Sequence, residues 1–181
     1  MSYALTGFVM AQIPLDIRPL APEDWDALGE AYRAASLVEM KLSGRDPASF
    51  KSLSEEEDPE KFALTSSAIV AWVDGRRVGF AAWRDRGAWK GGGYLSFLYV
   101  HPDWHRRGIG DQLLKRALEA LGPQAWTLTP AGNLPAIKLY QKHGMQIVKA
   151  PAPGNTHGNV RLALPTSRKS DPSVPDFGIG T

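Results

Sequence analysis

The stretch from Tyr94 to Leu121 constrains this chain more than any other. Tyr94 to Val100 (YLSFLYV) is a continuous apolar run of strand length, which suits a strand covered on both faces. A polar loop follows, with Trp104, His105, Arg106 and Arg107 in its basic part. Gly108-Ile109-Gly110 then opens a helix. Ile109, Leu113, Leu114, Ala117, Leu118 and Leu121 mark one face of it, and Gly122-Pro123 stops it. A helix N-terminus carries unpaired N–H groups and the positive end of the macrodipole. Glycines there let a bulky anion approach with no Cβ in the way, and two arginines add charge. The dipole contributes about 0.3–1 kcal/mol per charge, so N–H donors and arginines must supply most of an anion's affinity. Taken alone, the pattern fits a phosphate site and a tight strand-to-helix turn with a solvated basic loop equally well. Two other phosphate loops are excluded. No Gly-Lys-Ser/Thr follows, and Leu113 stands where G-x-G-x-x-G needs its third glycine.

Around this segment the periodicity alternates between strand and helix. Leu15 to Arg18 reads as a short strand ended by Pro19 to Pro22. Trp25, Leu28, Tyr32 and Ala35 follow at helical spacing, until Gly44 and Pro47 break the pattern. Glu55 to Asp58 is an acidic run, read as a solvated face or a helix start. Ser66 to Val73 and Arg77 to Arg84 form a hairpin through Asp74-Gly75, a type I′ signal. Gly87 to Gly93 is loop. Ala125 to Leu128 is a strand and Thr129 to Asn133 a turn. Ala136, Ile137, Leu139 and Tyr140 mark a helix stopped by Gly144. Met145 to Val148 and Val160 to Leu164 close as strands around Pro151 to Gly158. The order β-α-(α)-β-β-β-α-β-α-β-β predicts a mixed α/β domain around one sheet, with hairpins in the middle and at the end. With 181 residues there is room for one domain over 14–164. Residues 1–13 are then an extension, with Met10 as an alternative start. Residues 165–181 are a tail, either flexible or docked on a neighbour through Val174, Phe177 and Ile179.

Composition removes several classes of function. There is no cysteine, which excludes disulfides, thiolate metal sites and a cysteine nucleophile. No metal is called for. The net charge of +2 argues against a broad nucleic-acid footprint. No run approaches the roughly 18 apolar residues of a membrane helix, and the apolar N-terminus lacks a basic leader. The expectation is a soluble, cytoplasmic protein with neither nucleic acid nor membrane as partner.

With these elements in place, YLSFLYVHPDWHRRGIGDQLLKRALE resembles the signature region of the GNAT superfamily, the acetyl-CoA-dependent N-acetyltransferases. That family's loop reads Q/R-x-x-G-x-G/A. Arg107-Gly108-Ile109-Gly110 matches it, and the Q/R position falls on His105, with Arg106 beside it. A second block, Asn133 to Met145, is similar to the family's N-x-x-A-x-x-L-Y-x-x-x-G-F, with Met145 in place of the final aromatic. The resemblance runs from Leu15 to Leu164. It implies an acyl-CoA N-acyltransferase fold: a mostly antiparallel central sheet with a splayed pair of strands, flanked by helices.

The same resemblance implies roles. The pyrophosphate of acetyl-CoA would lie on the loop from His105 through Arg106, Arg107, Gly108, Ile109 and Gly110 to Asp111. The pantetheine arm would pair, as a pseudo-strand, with the backbone around Leu98, Tyr99 and Val100. Asn133 would reach the pantetheine, or cap the helix at Leu134, or both. Tyr140 would be the general acid for the leaving thiol. The acceptor is expected to be a primary amine of a small molecule or peptide. Having no cysteine to acetylate, the chain would transfer the acetyl group directly in a ternary complex. Freeing an aliphatic amine of its proton at neutral pH costs roughly 4–5 kcal/mol, so a base is useful. The strand positions where relatives carry a glutamate hold Ser96 and Phe97 here. Ser96 would order a water, and Glu30, Glu39 and Asp85 remain as bases from neighbouring elements, with no choice among them. His101 reads as a structural turn, and His143 as a helix-end cation. The acceptor pocket would lie between Trp25 and Phe62, with Trp72, Trp83 and Trp89 as contributors. Glu55 to Asp58 would either attract a cationic amine there or form a solvated face. The missing strand carboxylate keeps a second reading open, a non-catalytic acyl-CoA-binding or sensing module. Pairing through terminal strands would give a homodimer.

Overall fold

The computed structural model describes residues 14–85 and 92–165. Trp89, Met10, the N-terminal extension and the apolar residues of the tail therefore lie outside the described residues. The chain runs β1 (Leu15–Pro19), α1 (Trp25–Ser43), α2 (Leu53–Glu56), α3 (Pro59–Thr65), β2 (Ser67–Val73) and β3 (Arg76–Arg84). It continues through β4 (Tyr94–Val100), α4 (Ile109–Leu121), β5 (Trp126–Pro130), α5 (Leu134–Lys142), β6 (Gln146–Lys149) and β7 (Asn159–Ala163). Seven strands form one sheet in the order β1-β2-β3-β4-β5-β7-β6. Every neighbouring pair is antiparallel except β4 and β5, which are parallel. The mixed α/β architecture expected from the sequence is the one observed. No helix among the described residues is long and apolar enough to cross a membrane.

The apolar run of β4 is explained by burial on both faces. Phe97 and Tyr99 face α1 and α3, packing with Tyr32, Phe62 and Phe80. Leu95, Leu98 and Val100 face α4 and α5, in the cluster that holds Leu113, Leu114, Ala117, Met145 and Leu162. Leu95 and Leu98 share a face although three positions apart, which strict alternation forbids. The register gives the reason. Ala82 opposes Phe97 and Trp83 opposes Leu95, so Ser96 has no partner on β3 and forms a β-bulge. The Ser96 hydroxyl donates to the Ala82 carbonyl at 3.0 Å.

Several boundaries differ from the sequence reading, for local reasons. The acidic run ends one helix and starts another: Glu55 and Glu56 lie in α2, and Asp58 precedes α3. The Ser52 backbone and hydroxyl bond Glu55 as a capping box for α2. Asp58 then caps α3, accepting from the Lys61 N–H at 2.8 Å. Thr129 and Pro130 belong to β5 rather than to a turn, because β7 pairs with them through Val160 and Asn159. Asp74 and Gly75 both have positive φ, 47° and 74°, as a type I′ hairpin requires.

The C-terminal end of α1 is held by the far side of the molecule. The Thr156 hydroxyl donates to the Ser43 carbonyl at 2.9 Å, and the Gly132 N–H to the Thr156 carbonyl at 3.0 Å. Gly132 lies so close that an added Cβ would stand 2.6 Å from the Leu42 carbonyl oxygen and 2.7 Å from the Ser43 Cα. Both neighbours are backbone and cannot swing away. Gly132→Ala should therefore destabilise the fold by about 1–3 kcal/mol, the ordinary cost of overpacking, read from urea denaturation.

Candidate active site

The splay begins where β4 is bulged. β4 and β5 pair only at Tyr94↔Trp126 and Leu95↔Thr127, and beyond that the strands separate. The His101 N–H donates to the Val78 carbonyl, so by antiparallel alternation the peptide groups of Leu98 and Val100 point away from β3, into the gap. A cleft of about 480 Å³ fills the gap. Its walls include Leu98, Tyr99 and Val100 of β4, and His105, Arg106, Gly108, Ile109, Gly110 and Asp111 from the loop and the start of α4. Asn133 and Tyr140 close the opposite side. Eleven of the thirteen expected site residues thus line one cleft. The other two, Arg107 and Ser96, lie elsewhere. The Arg107 guanidinium sits 4.7 Å over the Trp104 ring, and Trp104 is itself a cleft residue.

The glycine turn leaves backbone donors free. Gly108 caps α4 with φ 77° and no side-chain hydrogen bond, and its carbonyl accepts from the Gln112 N–H at 3.0 Å. The N–H groups of Ile109, Gly110 and Asp111 consequently have no intrahelical acceptor. Arg106 also has positive φ, 60°. Such a backbone in a side-chain-bearing residue is held by its surroundings. Here His105 holds the loop: its Nε2 lies 2.7 Å from the Val100 carbonyl oxygen. Histidine at the Q/R position thus ties the loop to the splayed strand.

A carboxylate at the head of an anion-binding helix would repel phosphate, and Asp111 is such a group. It is compensated. Asp111 Oδ1 accepts from Lys142 Nζ at 2.5 Å and lies 3.1 Å from His143 Nε2, both at the C-terminal end of α5. The Lys142 hydrogen bond, with help from His143, holds the Asp111 carboxyl below its ordinary range. His143 is accordingly a clamp between α4 and α5.

Asn133 performs two tasks. Its Oδ1 accepts from the Ala136 N–H at 3.3 Å, capping α5, and its Nδ2 donates to Glu39 Oε2 at 3.0 Å. Glu39 is half-buried, and desolvation pushes its carboxyl up against the opposing effects of Asn133 and Arg45. Of the three carboxylates the sequence left open, Glu30 and Asp85 are exposed and line neither cavity; Glu39 reaches the cleft. Tyr140 is 5% exposed, and burial raises its phenol far above the usual value, opposed by a hydrogen bond with Thr127. It is a neutral O–H at any physiological pH. Ser96 lines a second, more polar cavity on the other side of β4.

Of the tryptophans expected near the acceptor, Trp25, Trp72 and Trp83 are among the described residues, and each has another partner. Trp25 packs edge-on against Phe62 at 5.1 Å, Arg77 and Arg18 cover Trp72, and Trp83 is in the core. None of the three lines either cavity. The sequence reading missed the wall that α1 gives the cleft: Ala35, Val38, Glu39 and Leu42, an i, i+3, i+4, i+7 stripe. Val38 and Leu42, outside the core stripe of Leu28, Tyr32 and Ala35, were its visible trace. Among the described residues no three His, Asp or Glu side chains are grouped to hold a metal ion.

Comparison with known proteins bears on this arrangement. The model of the Acetyltransferase (GNAT) family matches residues 26–145, from the start of α1 to the end of the α5 block. The chain belongs to the GNAT family of acetyltransferases. Human and mouse Cysteine-rich protein 2-binding protein are 38% identical over 53 residues, 29% of this chain; the match spans only 7% of each of those longer proteins. The Uncharacterized N-acetyltransferase YafP of Escherichia coli (strain K12) is 26% identical over 137 residues, 75% of this chain and 83% of that one. In fold, the chain is similar to the Paia N-acetyltransferase of Thermoplasma acidophilum, solved in complex with coenzyme A. That likeness has a TM-score of 0.64 at 17% identity, over 83% of this chain and 98% of the other.

The clamp on Asp111 gives a pH dependence. A carboxyl held below its unfolded value stabilises the fold above the ordinary carboxylate range and loses that contribution as pH falls through the folded value. Asp111→Asn should lower the melting temperature at neutral pH, and the difference from wild type should shrink to nothing in strong acid. Thermal melts across pH check both limbs.

Proposed function

We propose that this GNAT-family chain transfers the acetyl group of acetyl-CoA directly to a primary amine in a ternary complex. The observation that carries the reading is convergence. One cleft brings together open strand backbone, an uncapped helix N-terminus and a buried tyrosine hydroxyl. The first suits the amides of a pantetheine arm, the second suits a pyrophosphate, and the third suits a departing sulfur. A fold relative bound to coenzyme A and a relative named as an N-acetyltransferase support it.

In this reading the N–H groups of Ile109, Gly110 and Asp111 and the charge of Arg106 hold the pyrophosphate. The Leu98 and Val100 peptide groups fix the pantetheine. Attack by the amine on the thioester carbonyl expels the thiol, and the Tyr140 O–H donates to its sulfur. Because burial keeps Tyr140 protonated, the donor is present at every working pH. The non-catalytic alternative drew its motive from the carboxylate missing at Ser96 and Phe97; Glu39 brings one to the cleft from α1.

Two measurements test this. Tyr140→Phe should cut kcat for thiol release with acetyl-CoA and an amine panel by about 10²-fold, while acetyl-CoA affinity by calorimetry changes little. Wild-type chain that binds acetyl-CoA tightly yet turns over no amine rejects amine transfer. Gly108→Val places a β-branched residue at φ 77°, distorts the turn, and should weaken acetyl-CoA binding at least about tenfold. Unchanged affinity removes the phosphate from this loop.

A further inference from the structure

The second cavity, about 410 Å³, lies on the α1 side of β4. Its volume is that of a small-molecule site. Five charged side chains line it: Glu39, Glu56, Glu57, Arg45 and Arg84. Arg84 is occupied, donating to Glu57 Oε1 at 3.1 Å and to Ser66 Oγ at 3.3 Å. Arg45 donates to the His157 carbonyl at 3.3 Å and faces Glu39. Glu56 meets the Tyr32 hydroxyl rather than a cation among the described residues. Three carboxylates against two guanidiniums leave the cavity negative, and the charge of Glu56 raises the Glu39 carboxyl. A cation between them would relieve that repulsion.

Two residues, Glu39 and Tyr99, line both this cavity and the cofactor cleft. Glu39 is fixed there. Its Oε2 accepts from Asn133, and its Oε1 has no hydrogen-bond partner among the described residues. We infer that the second cavity receives the acceptor as a small cationic primary amine, and that Glu39, oriented by Asn133, takes its proton. The inference rests on the acetyl-transfer reading and supplies its acceptor side.

The ammonium gives one proton to the Glu39 carboxylate, and the freed lone pair forms the C–N bond at the thioester carbonyl. The C–S bond breaks, and the sulfur takes the Tyr140 proton. The second proton lost by nitrogen restores Tyr140, and Glu39 releases its own to solvent. One amide, one thiol and one proton leave. The groups facing Glu39 act in both directions. Burial and Glu56 of α2 raise its proton affinity, while Asn133 and Arg45 lower it. The phenols of Tyr32, Tyr99 and Tyr140 also face it and stay neutral, all three raised by burial.

The test uses the full chain, acetyl-CoA and three probes: glycinamide, lysinamide and glycine. Lysinamide and glycinamide should exceed zwitterionic glycine in kcat/KM by about tenfold or more, as one well-placed charge contact predicts. Glu39→Gln should lower kcat/KM about 10²-fold and abolish the acidic limb of its pH profile, and Glu39→Asp should restore part of both. Glu56→Gln should raise KM for lysinamide with little change in kcat. Acetyl-CoA affinity should be retained in all three variants. Preference for glycine overturns the cationic acceptor. An intact acidic limb in Glu39→Gln overturns the proton acceptor, as does a loss of acetyl-CoA binding that parallels its loss of rate. Failure of every amine with acetyl-CoA still bound rejects amine transfer itself, a result separable from the variant data.

Discussion

β4 loses its regular pairing at Ser96, and the functional architecture depends on that one irregularity. With it, pairing stops after Leu95, and the Leu98 and Val100 peptide groups turn into an open gap. Unpaired backbone inside a fold is costly unless something satisfies it. Here His105 meets the Val100 carbonyl, and the rest of the strand end faces the cleft. The bulge therefore creates the demand for hydrogen bonds that an extended amide-bearing ligand would meet. It also flips the strand's parity, which is why Leu95 and Leu98 share one face of the sheet.

The opposite wall of the gap is set by α1. That helix uses two overlapping stripes. Leu28, Tyr32 and Ala35 seat it on the sheet, and the stripe from Ala35 to Leu42 faces the cleft. Its C-terminal end is positioned by distant chain, through Thr156 and the close approach of Gly132. The residue after Gly132 is Asn133, so the contact that seats α1 also delivers the amide that holds Glu39. Helix placement and carboxylate orientation are one event rather than two.

Much of this was legible in the chain because local rules agree with the global fold there. The α4 stripe, the I′ hairpin at Asp74-Gly75 and the glycine turn at Gly108 each carry their own local reason. One family block spans the glycine turn and the start of the α4 stripe, and eleven of the named positions meet in one cleft. What escaped depends on contacts distant in sequence. Ser96 reads as a polar gap in an apolar strand, and only the register with Ala82 and Trp83 reveals a bulge. Glu39 could not be separated from Glu30 by spacing, because the choice depends on which α1 face meets the gap. Trp72 and Trp83, expected to contribute to the acceptor pocket, are instead absorbed by arginine stacking and core packing. The tryptophan that lines the cleft is Trp104, hidden in a stretch read for its charge.

Charge explains why the two cavities, sharing a wall, need not compete for ligands. The first cleft presents free N–H groups and Arg106, and its Asp111 carboxylate is paired with Lys142 and in contact with His143. The second cavity keeps an excess of carboxylate, because Arg84 is spent on Glu57. An anion is thus drawn to one side of β4 and a cation to the other. Glu39 stands at the boundary, where burial makes it more basic and Asn133 holds its Oε2. A near-neutral chain can therefore be strongly polar at its working site. The whole-sequence charge of +2 sums over that division. The division itself is imposed by β4, whose two faces carry opposite chemistry on either side of the bulge.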